Sequence, residues 1–499
     1  MPLTPHYDPA LVARLREALE RSDFTVDGVG AVFDPVAHAA LAREQVVPAL
    51  RATTGGTPLE TLVRLFLLGA TEPLAAVRSA LSPLSIDESV SLRLLEPDGD
   101  GFRAGLEIRP YGDEAHSWWV VSEQGTDVRP GPLPAQHVLG VGGASVTLAE
   151  WTVRQQVGSA LDIGTGCGVQ SLHLSQHATQ VTATDRNPIA LALARLTAQL
   201  NGLEWELLEG DLFEPVGDRT FDLIVSNPPF VVGPATRDYL YRDSGLEGDA
   251  VTRSLVQAAP NHLTEGGWCQ LLGNWVHVRG QPFGQALTRW LSPRNGCDVW
   301  IVRRAVQDPA EYVEMWLRDS GEADGPAYRR KYADWLDWFA AHDIEAIGFG
   351  VITMRNAGHE VPSIEIWPED MTAEIERPIG RQVADWFTRR DRLRGIDLLD
   401  AHLVRAPGLR LEQIRAASTD GWTLTEQWLR QHGGLGSRVL VLDDVMSLVV
   451  AGANGDVTLR QQLELIAAAF EVDAKELALA TVDLLTQYVG IGLLDIAHS

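Results

Sequence analysis

The chain has 499 residues, 45% hydrophobic and 22% charged, the balance of a folded protein with more than one domain rather than a disordered one. Its net charge of −26 repels a phosphate backbone at long range, which argues against tight autonomous nucleic-acid binding but not against a local basic patch or a helper subunit. Cys167, Cys269 and Cys297 form neither a disulfide framework nor a paired zinc spacing, so no metal is expected. No apolar run reaches the roughly 18–20 residues of a membrane span, and the N-terminus lacks a basic start ahead of an apolar block, so the expected location is cytoplasmic.

Residues 1–130 read as helices followed by a β-hairpin. In DPALVARLREALERSDF, Pro9 follows an Asp cap and Leu11, Leu15 and Leu19 recur at helical spacing. In TPLETLVRLFLLG, Thr57 caps the helix, Pro58 takes its first position, Glu60 completes a capping box and Gly69 stops it. GFRAGLEIRPY and HSWWVVSE, separated by GDEA, read as the two strands of the hairpin, and the whole as a winged-helix-like module. Trp118 and Trp119 are adjacent on a strand, so at most one of them faces any given groove.

RPGPLPAQHVLGVGGAS, residues 129–145, is rich in Pro and Gly and reads as a linker. From about residue 157 strands alternate with helices: SALDIG, QVTATD, WELLEG, FDLIVSN, WCQLLG, CDVWIVR and, late, IGFGVITM. This alternation predicts an α/β domain over 131–375 with a parallel sheet covered by helices on both faces. A helical insertion at 303–346 carries Trp316, Trp335, Trp338 and Phe339, which read as core. Residues 376–499 turn helical again, VLVLDDVMSLVVAGANGDVTLRQQLELIAAAF at 439–470 reading as a hairpin plus helices of a second winged-helix-like α+β tail. The densest basic clusters are RRKY at 329–332 and RRDRLR at 389–394, each read as a solvated helix face.

The chemistry concentrates at strand ends. ALDIGTGCGVQSLHL runs from a strand ending at Asp162 through Gly164, Thr165, Gly166, Cys167 and Gly168 into a helix near Val169; alternate glycines let a ligand approach the backbone. Cys167 has no nearby His to activate it and reads as a loop filler. Asp185 ends the next strand, 21 residues after Gly164, where a carboxylate accepts both hydroxyls of a ribose. Asp211 follows the third strand, placed to accept from an adenine amino group, with Leu212 and Phe213 against the ring. FDLIVSNPPF ends the fourth with Asn227, Pro228, Pro229 and Phe230.

This constellation resembles the class I S-adenosylmethionine-dependent methyltransferases over roughly residues 135–355. Its Asn-Pro-Pro-Phe resembles the branch that methylates nitrogen on planar groups: glutamine amides, adenine N6 and guanine N2. The resemblance implies a Rossmann-like seven-stranded sheet and S-adenosyl-L-methionine as cofactor. Gly164, Thr165, Gly166 and Gly168 would flank its methionine part, Asp162 would hold its amino group, Asp185 with Arg186 its ribose, and Asp211 with Leu212 its adenine; Asn227 would border both cofactor and substrate. An exocyclic NH2 is a poor nucleophile because its lone pair is delocalised. The Asn227 side-chain oxygen and the Pro228 carbonyl can each accept one of its N–H groups, while Pro228 and Pro229 remove donors and stiffen the loop. Phe230 can stack on a flat substrate, and Tyr241, Arg242 and Asp243 are further substrate candidates.

The expected substrate is a macromolecule, rRNA, tRNA or a ribosome-associated protein, with a protein partner for the terminal modules. The N-terminal extension and Phe230 resemble the rRNA guanine-N2 enzymes. The run SGLEGDAVTRSLVQAAPNHLTEGGW, the acidic charge and the glycine loop resemble the release-factor glutamine methyltransferases, which usually carry Tyr where Phe230 stands. The whole layout is similar to long actinobacterial-type small-domain methyltransferases. A non-catalytic binding module with a vestigial cofactor fold is the reading from another class; intact Asp162, Asp185, Asp211 and Asn227 speak against it.

Overall fold

Local signals in the first ninety residues translate directly into helix boundaries. Helix α1, Pro9–Arg21, starts where the Asp8 carboxylate accepts the Ala10 N–H at 2.8 Å, and its Leu15 and Leu19 are fully buried. The helix Pro58–Leu62 carries the expected capping box between Thr57 and Glu60. A π-helical turn, Val63–Leu67, continues it, and Gly69 at φ +59° closes it. The computed structural model describes residues 7–497 except 42, 44, 114, 127, 130–132, 235–245, 283, 292–295, 320–324, 361–362, 368–376, 420, 432–437 and 441–442.

The stretch 101–111, expected to be one strand, is two strands in different sheets. β1, Gly101–Ala104, pairs with Leu95–Asp98 and with Glu72–Pro73, whereas β2, Glu107–Gly112, pairs antiparallel with β3, Ser117–Ser122. Gly105 makes the change of sheet. A Cβ there would lie 2.4 Å from the Arg93 carbonyl oxygen, so the chain passes that close only as glycine.

A large sheet follows helix α2, Gly143–Trp151. Its chain order is β4 (Val157–Ile163), helix α3 (Val169–Leu174), β5 (Ala178–Asp185), helix α4 (Pro188–Leu200), β6 (Glu206–Glu209), β7 (Phe221–Ser226), β8 (Leu263–Val278) and β9 (Cys297–Gln307). Helices α5 (Pro309–Asp319) and α6 (Pro326–Ala341), the expected insertion, then lead to β10 (Ile344–Asn356) and β11 (Ile364–Trp367). The spatial order is β11-β9-β10-β8-β7-β4-β5-β6. All seven strands read from the sequence are in it, and β11 adds an eighth at the edge. The five strands from β8 to β6 are parallel, while β10 runs antiparallel between β8 and β9. The carboxyl ends of β4, β5, β6 and β7 therefore open on one edge, where α/β sheets bind ligands.

The N-terminal elements and α4 share one hydrophobic cluster, which includes Leu15, Phe24, Ile108, Leu193 and Leu196. The free edge of β3 is satisfied by α4 and the residue after it: Trp119 N donates to Asn201 Oδ1 at 3.0 Å and Val121 N to Thr197 Oγ1 at 3.1 Å. Trp118 and Trp119 are both buried, and Trp119 Nε1 donates to the Phe24 carbonyl at 2.6 Å, so neither serves a groove. Of the four insertion aromatics expected in the core, Trp335 and Phe339 are buried with Tyr312, Val231 and Val232, whereas Trp316 and Trp338 are half-buried against that cluster.

Among the described residues the chain divides into two units, Met1–Ala149 with Gln155–Asp370, and Glu150–Arg154 with Met371–Ser499. The second holds helices α7 (Gly380–Arg394), α8 (Asp444–Gly452), α9 (Leu459–Phe470) and α10 (Ala474–Gly490) around Leu403, Val449, Leu459, Leu485 and Tyr488. The segment 439–470, expected to hold a hairpin, carries α8 and α9 instead; the hairpin of this unit lies earlier, as β12 (Leu409–Ser418) and β13 (Gly421–Gln431), and is exposed over most of both strands. The RRDRLR cluster on α7 is not simply solvated: Arg390 lies 4.8 Å over the Trp386 ring and Arg392 pairs with Asp495 at 3.5 Å. No helix among the described residues is long and apolar enough to cross a membrane.

Candidate active site

The first loop is built from the sheet outward. Gly164 N and Thr165 N both donate to the Thr184 carbonyl at the end of β5, at 2.9 and 3.0 Å. Gly164 and Gly166 hold φ of +72° and +56°, and a Cβ on either would meet nothing, so both face open space. Gly168 differs: a Cβ there would come within 2.6 Å of the Trp205 ring, so its glycine serves packing.

Two carboxylates hold this loop, Asp162 buried behind it and Asp185 half-buried at the cavity wall. Asp162 is 1% exposed, and its Oδ2 accepts from Thr165 Oγ1 (2.7 Å), Ser171 Oγ (2.8 Å) and Ser171 N (3.1 Å). Burial lifts its carboxyl from 3.8 to about 6. Asp185 accepts from Gly166 N at 2.9 Å and from Asn187 N at 2.8 Å, and burial raises its pKa as well. Burial pushes the Cys167 thiol up to about 12, in keeping with a filler.

A cavity of about 620 Å³ lies over these strand ends. The structure brings Gly164, Thr165, Gly166, Asp185, Arg186, Asp211, Leu212, Asn227, Pro228 and Pro229 to its wall. Asp162 and Gly168 stand behind the loop, and Phe230 lies off the wall, edge-on to Trp316 with ring centroids 6.2 Å apart. Phe213 likewise turns away and stacks on His262 at 4.3 Å, whereas Leu212, at φ +46°, faces the cavity. Tyr241, Arg242 and Asp243 lie outside the described residues.

At the end of β7, Ser226 Oγ donates to the Ile163 carbonyl at 2.9 Å and fixes the exit of the strand beside the glycine loop. Asn227 Nδ2 donates to Ser145 Oγ at 3.3 Å, and the Ser145 carbonyl accepts from Gln170 Nε2 at 2.8 Å. With its amide nitrogen so engaged, the Asn227 oxygen has no partner among the described residues and is left as an acceptor. Just beyond, Val232 N donates to Tyr312 Oη at 2.8 Å, and the buried Asn274 Nδ2 donates to the same oxygen at 3.0 Å. The insertion thus braces the loop that carries Asn-Pro-Pro-Phe.

The expected linker at 129–145 is no linker over its second half. Residues 137–145 form a continuous stretch of cavity wall, ending in Ser145 on the first turn of α2. His137 belongs to this wall; burial lowers its pKa to about 4, so the imidazole is neutral near pH 7. Glu107 and Arg109 of β2 line the cavity too. Gly-Val-Gly-Gly-Ala-Ser directly before a helical pattern was the available signal for Ser145; nothing local marks His137, Glu107 or Arg109.

A family model described as "Methyltransferase small domain" matches residues 140–289, and two models of domains of unknown function match residues 21–105 and 384–495. The release factor glutamine methyltransferase of Geobacter sulfurreducens is 42% identical over 123 residues, covering 22% of this chain and 43% of that protein. Ribosomal RNA small subunit methyltransferase C of Sodalis glossinidius is 35% identical over 164 residues, 32% of this chain and 43% of that one. The release factor glutamine methyltransferase of Deinococcus radiodurans is 34% identical over 197 residues, 33% of this chain and 68% of that one. The chain thus spans less than half the length of the first two relatives and about two thirds of the third. On the small-domain match over the cavity-lining loops and these relationships, the chain belongs to the class I S-adenosylmethionine-dependent methyltransferases of the small-domain group.

Proposed function

We propose that this chain is an N-methyltransferase that acts on a planar amino group of a macromolecule, a nucleic-acid base such as rRNA guanine N2 or adenine N6. The observation that carries the reading is the Asn227 oxygen, left without a partner among the described residues while its amide nitrogen contacts Ser145, at a strand end beside two cavity-facing glycines. The wall fits the cofactor: Gly164 and Gly166 leave room for its body, Asp185 offers a carboxylate to ribose hydroxyls, and Asp211 with Leu212 borders the adenine end. When bound, S-adenosylmethionine supplies an electrophilic methyl group on a sulfonium centre.

The chain's own groups do the rest. The Asn227 oxygen and the Pro228 carbonyl accept the two N–H groups of the substrate, which orients the nitrogen and draws its lone pair out of conjugation. The positive charge that develops on that nitrogen is stabilised by the same two oxygens. No strong general base is needed, because a nitrogen bearing that charge is acidic. Phe230, expected to stack on a flat substrate, instead stands off the cavity wall edge-on to Trp316 and steadies the end of the loop.

A second reading, a protein glutamine side chain, is favoured by the net charge of −26, which disfavours a polyanionic substrate. Either substrate belongs to the cytoplasm, and the terminal units serve to grip it or a helper protein. The test is transfer of tritiated methyl to rRNA, tRNA and release factors taken from cells lacking the protein. Label in RNA supports the first reading, label confined to protein supports the second, and label in neither contradicts both.

A further inference from the structure

We propose that the β2 hairpin completes the cofactor site: Arg109 binds the carboxylate of the cofactor's amino-acid end and Glu107 its ammonium. The inference rests on the cofactor reading above and adds residues from outside every matched family model. Along β2, Glu107 and Arg109 share one face and line the cavity, while Ile108 between them is fully buried in the core.

The pair is built rather than incidental. Glu107 is 8% exposed; its Oε1 accepts from Arg109 Nε at 2.5 Å and its Oε2 from Ser122 Oγ at 3.3 Å. Ser122 is the residue directly opposite Glu107 in the β2–β3 register, so the hairpin itself fixes the carboxylate. Arg109 uses only Nε in this contact, and its two terminal nitrogens have no partner among the described residues. The chain crosses over the pair at Gly140, where a Cβ would lie 2.8 Å from Ser122 Oγ and 3.3 Å from Glu107 Oε2. No side chain at 140 therefore stands between the pair and the wall leading to Ser145 and Asn227.

Position and charge select the occupant. The order of the strands puts adenine and ribose over β6 and β5, with Asp211 and Asp185, and the methyl donor between the first loop and Asn227. The amino-acid end is left for the side of the first loop away from β5. Glu107 belongs to that side, since its carboxylate acts on the Cys167 thiol and it packs under Gly140. A phosphate would gain from Arg109 but meet the Glu107 carboxylate beside it; a zwitterion presents one charge of each sign to a pair of opposite charges. Asp162, to which the family resemblance gives the ammonium, is 1% exposed and off the wall.

Calorimetry on the full chain tests this with two probes. S-adenosylhomocysteine carries the amino-acid end, and 5′-methylthioadenosine keeps the adenosine and thioether but lacks it. Arg109→Ala and Glu107→Gln are expected to weaken S-adenosylhomocysteine about ten- to hundredfold while methylthioadenosine changes less than about twofold. Unchanged S-adenosylhomocysteine affinity in both variants overturns the proposal. Parallel losses for both probes overturn it too, because the pair would then be shaping the wall rather than binding the amino-acid end. Failure of the wild-type chain to bind either probe sinks the cofactor reading itself.

Discussion

The two loops that leave the neighbouring strands β4 and β7 at the cavity are held in different ways. The glycine loop is secured from within the sheet: Asp162, Asp185 and the Thr184 carbonyl, all on β4 and β5, hold its backbone or hydroxyl donors. The Asn-Pro-Pro-Phe loop is secured from outside it, by Ser145 on α2 and by Tyr312 and Trp316 on the inserted α5. On the proposed function the cofactor side is intrinsic to the sheet, whereas the substrate side takes its final geometry from segments added around it. Changes to one side should leave the other nearly intact, and that separation can be attacked directly.

The largest effect is expected at the substrate loop. Asn227→Ala removes an acceptor that matters most as charge develops, so methyl transfer should fall on the order of a hundredfold or more, with S-adenosylhomocysteine affinity within a few fold of wild type. Loss of cofactor binding in that variant would make Asn227 part of the cofactor side and erase the distinction. At the glycine-loop side, Asp185→Ala should weaken S-adenosylhomocysteine about ten- to hundredfold; calorimetry showing an unchanged constant would remove Asp185 from the site.

Tyr312→Phe tests the outside brace. It leaves the buried Val232 N–H and Asn274 amide without their shared acceptor, which should cost about 1–3 kcal/mol in urea unfolding. Transfer should drop while cofactor affinity holds. Equal losses in both would mean that α5 supports the sheet as a whole rather than the loop.

The smallest effect is a pH slope from the inside brace. Because burial raises the Asp162 carboxyl from 3.8 to about 6, the folded chain holds that proton more tightly than the unfolded chain. The stability this proton provides is fully present below about pH 4 and is lost as pH rises toward and through 6. Asp162→Asn keeps an acceptor oxygen for Thr165 and Ser171 but cannot titrate, so its stability should fall less than that of wild type between pH 4 and 7. Identical slopes in denaturant titrations of the two proteins would show that Asp162 carries no such shift.

What could be read from the sequence was local. The Thr57–Glu60 capping box, the Asp8 cap and the strand-ending Asp185 and Asn227 each declare themselves within a few residues, and all stand where the pattern puts them. Features that depend on where the chain returns were not legible. Gly105 looks like an ordinary strand glycine until Arg93 lies against it. The β12–β13 hairpin alternates no buried face, so its period is hidden, although Asp-Gly at 420–421 was a turn signal. Residues 137–145 have linker composition and become cavity wall only because the hairpin and the strand ends close around them. Asn227 was legible as an acceptor; that Ser145 would set the orientation of its amide was not.

On the proposed function, Asn227 and Pro228 clamp an exocyclic NH2 for methylation. Mass spectrometry of the isolated labelled product tests it most directly. The methyl is expected on an exocyclic amino or side-chain amide nitrogen, as in N2-methylguanine, N6-methyladenine or N5-methylglutamine. A methyl found on a ring nitrogen, a ribose oxygen or a carbon would contradict it.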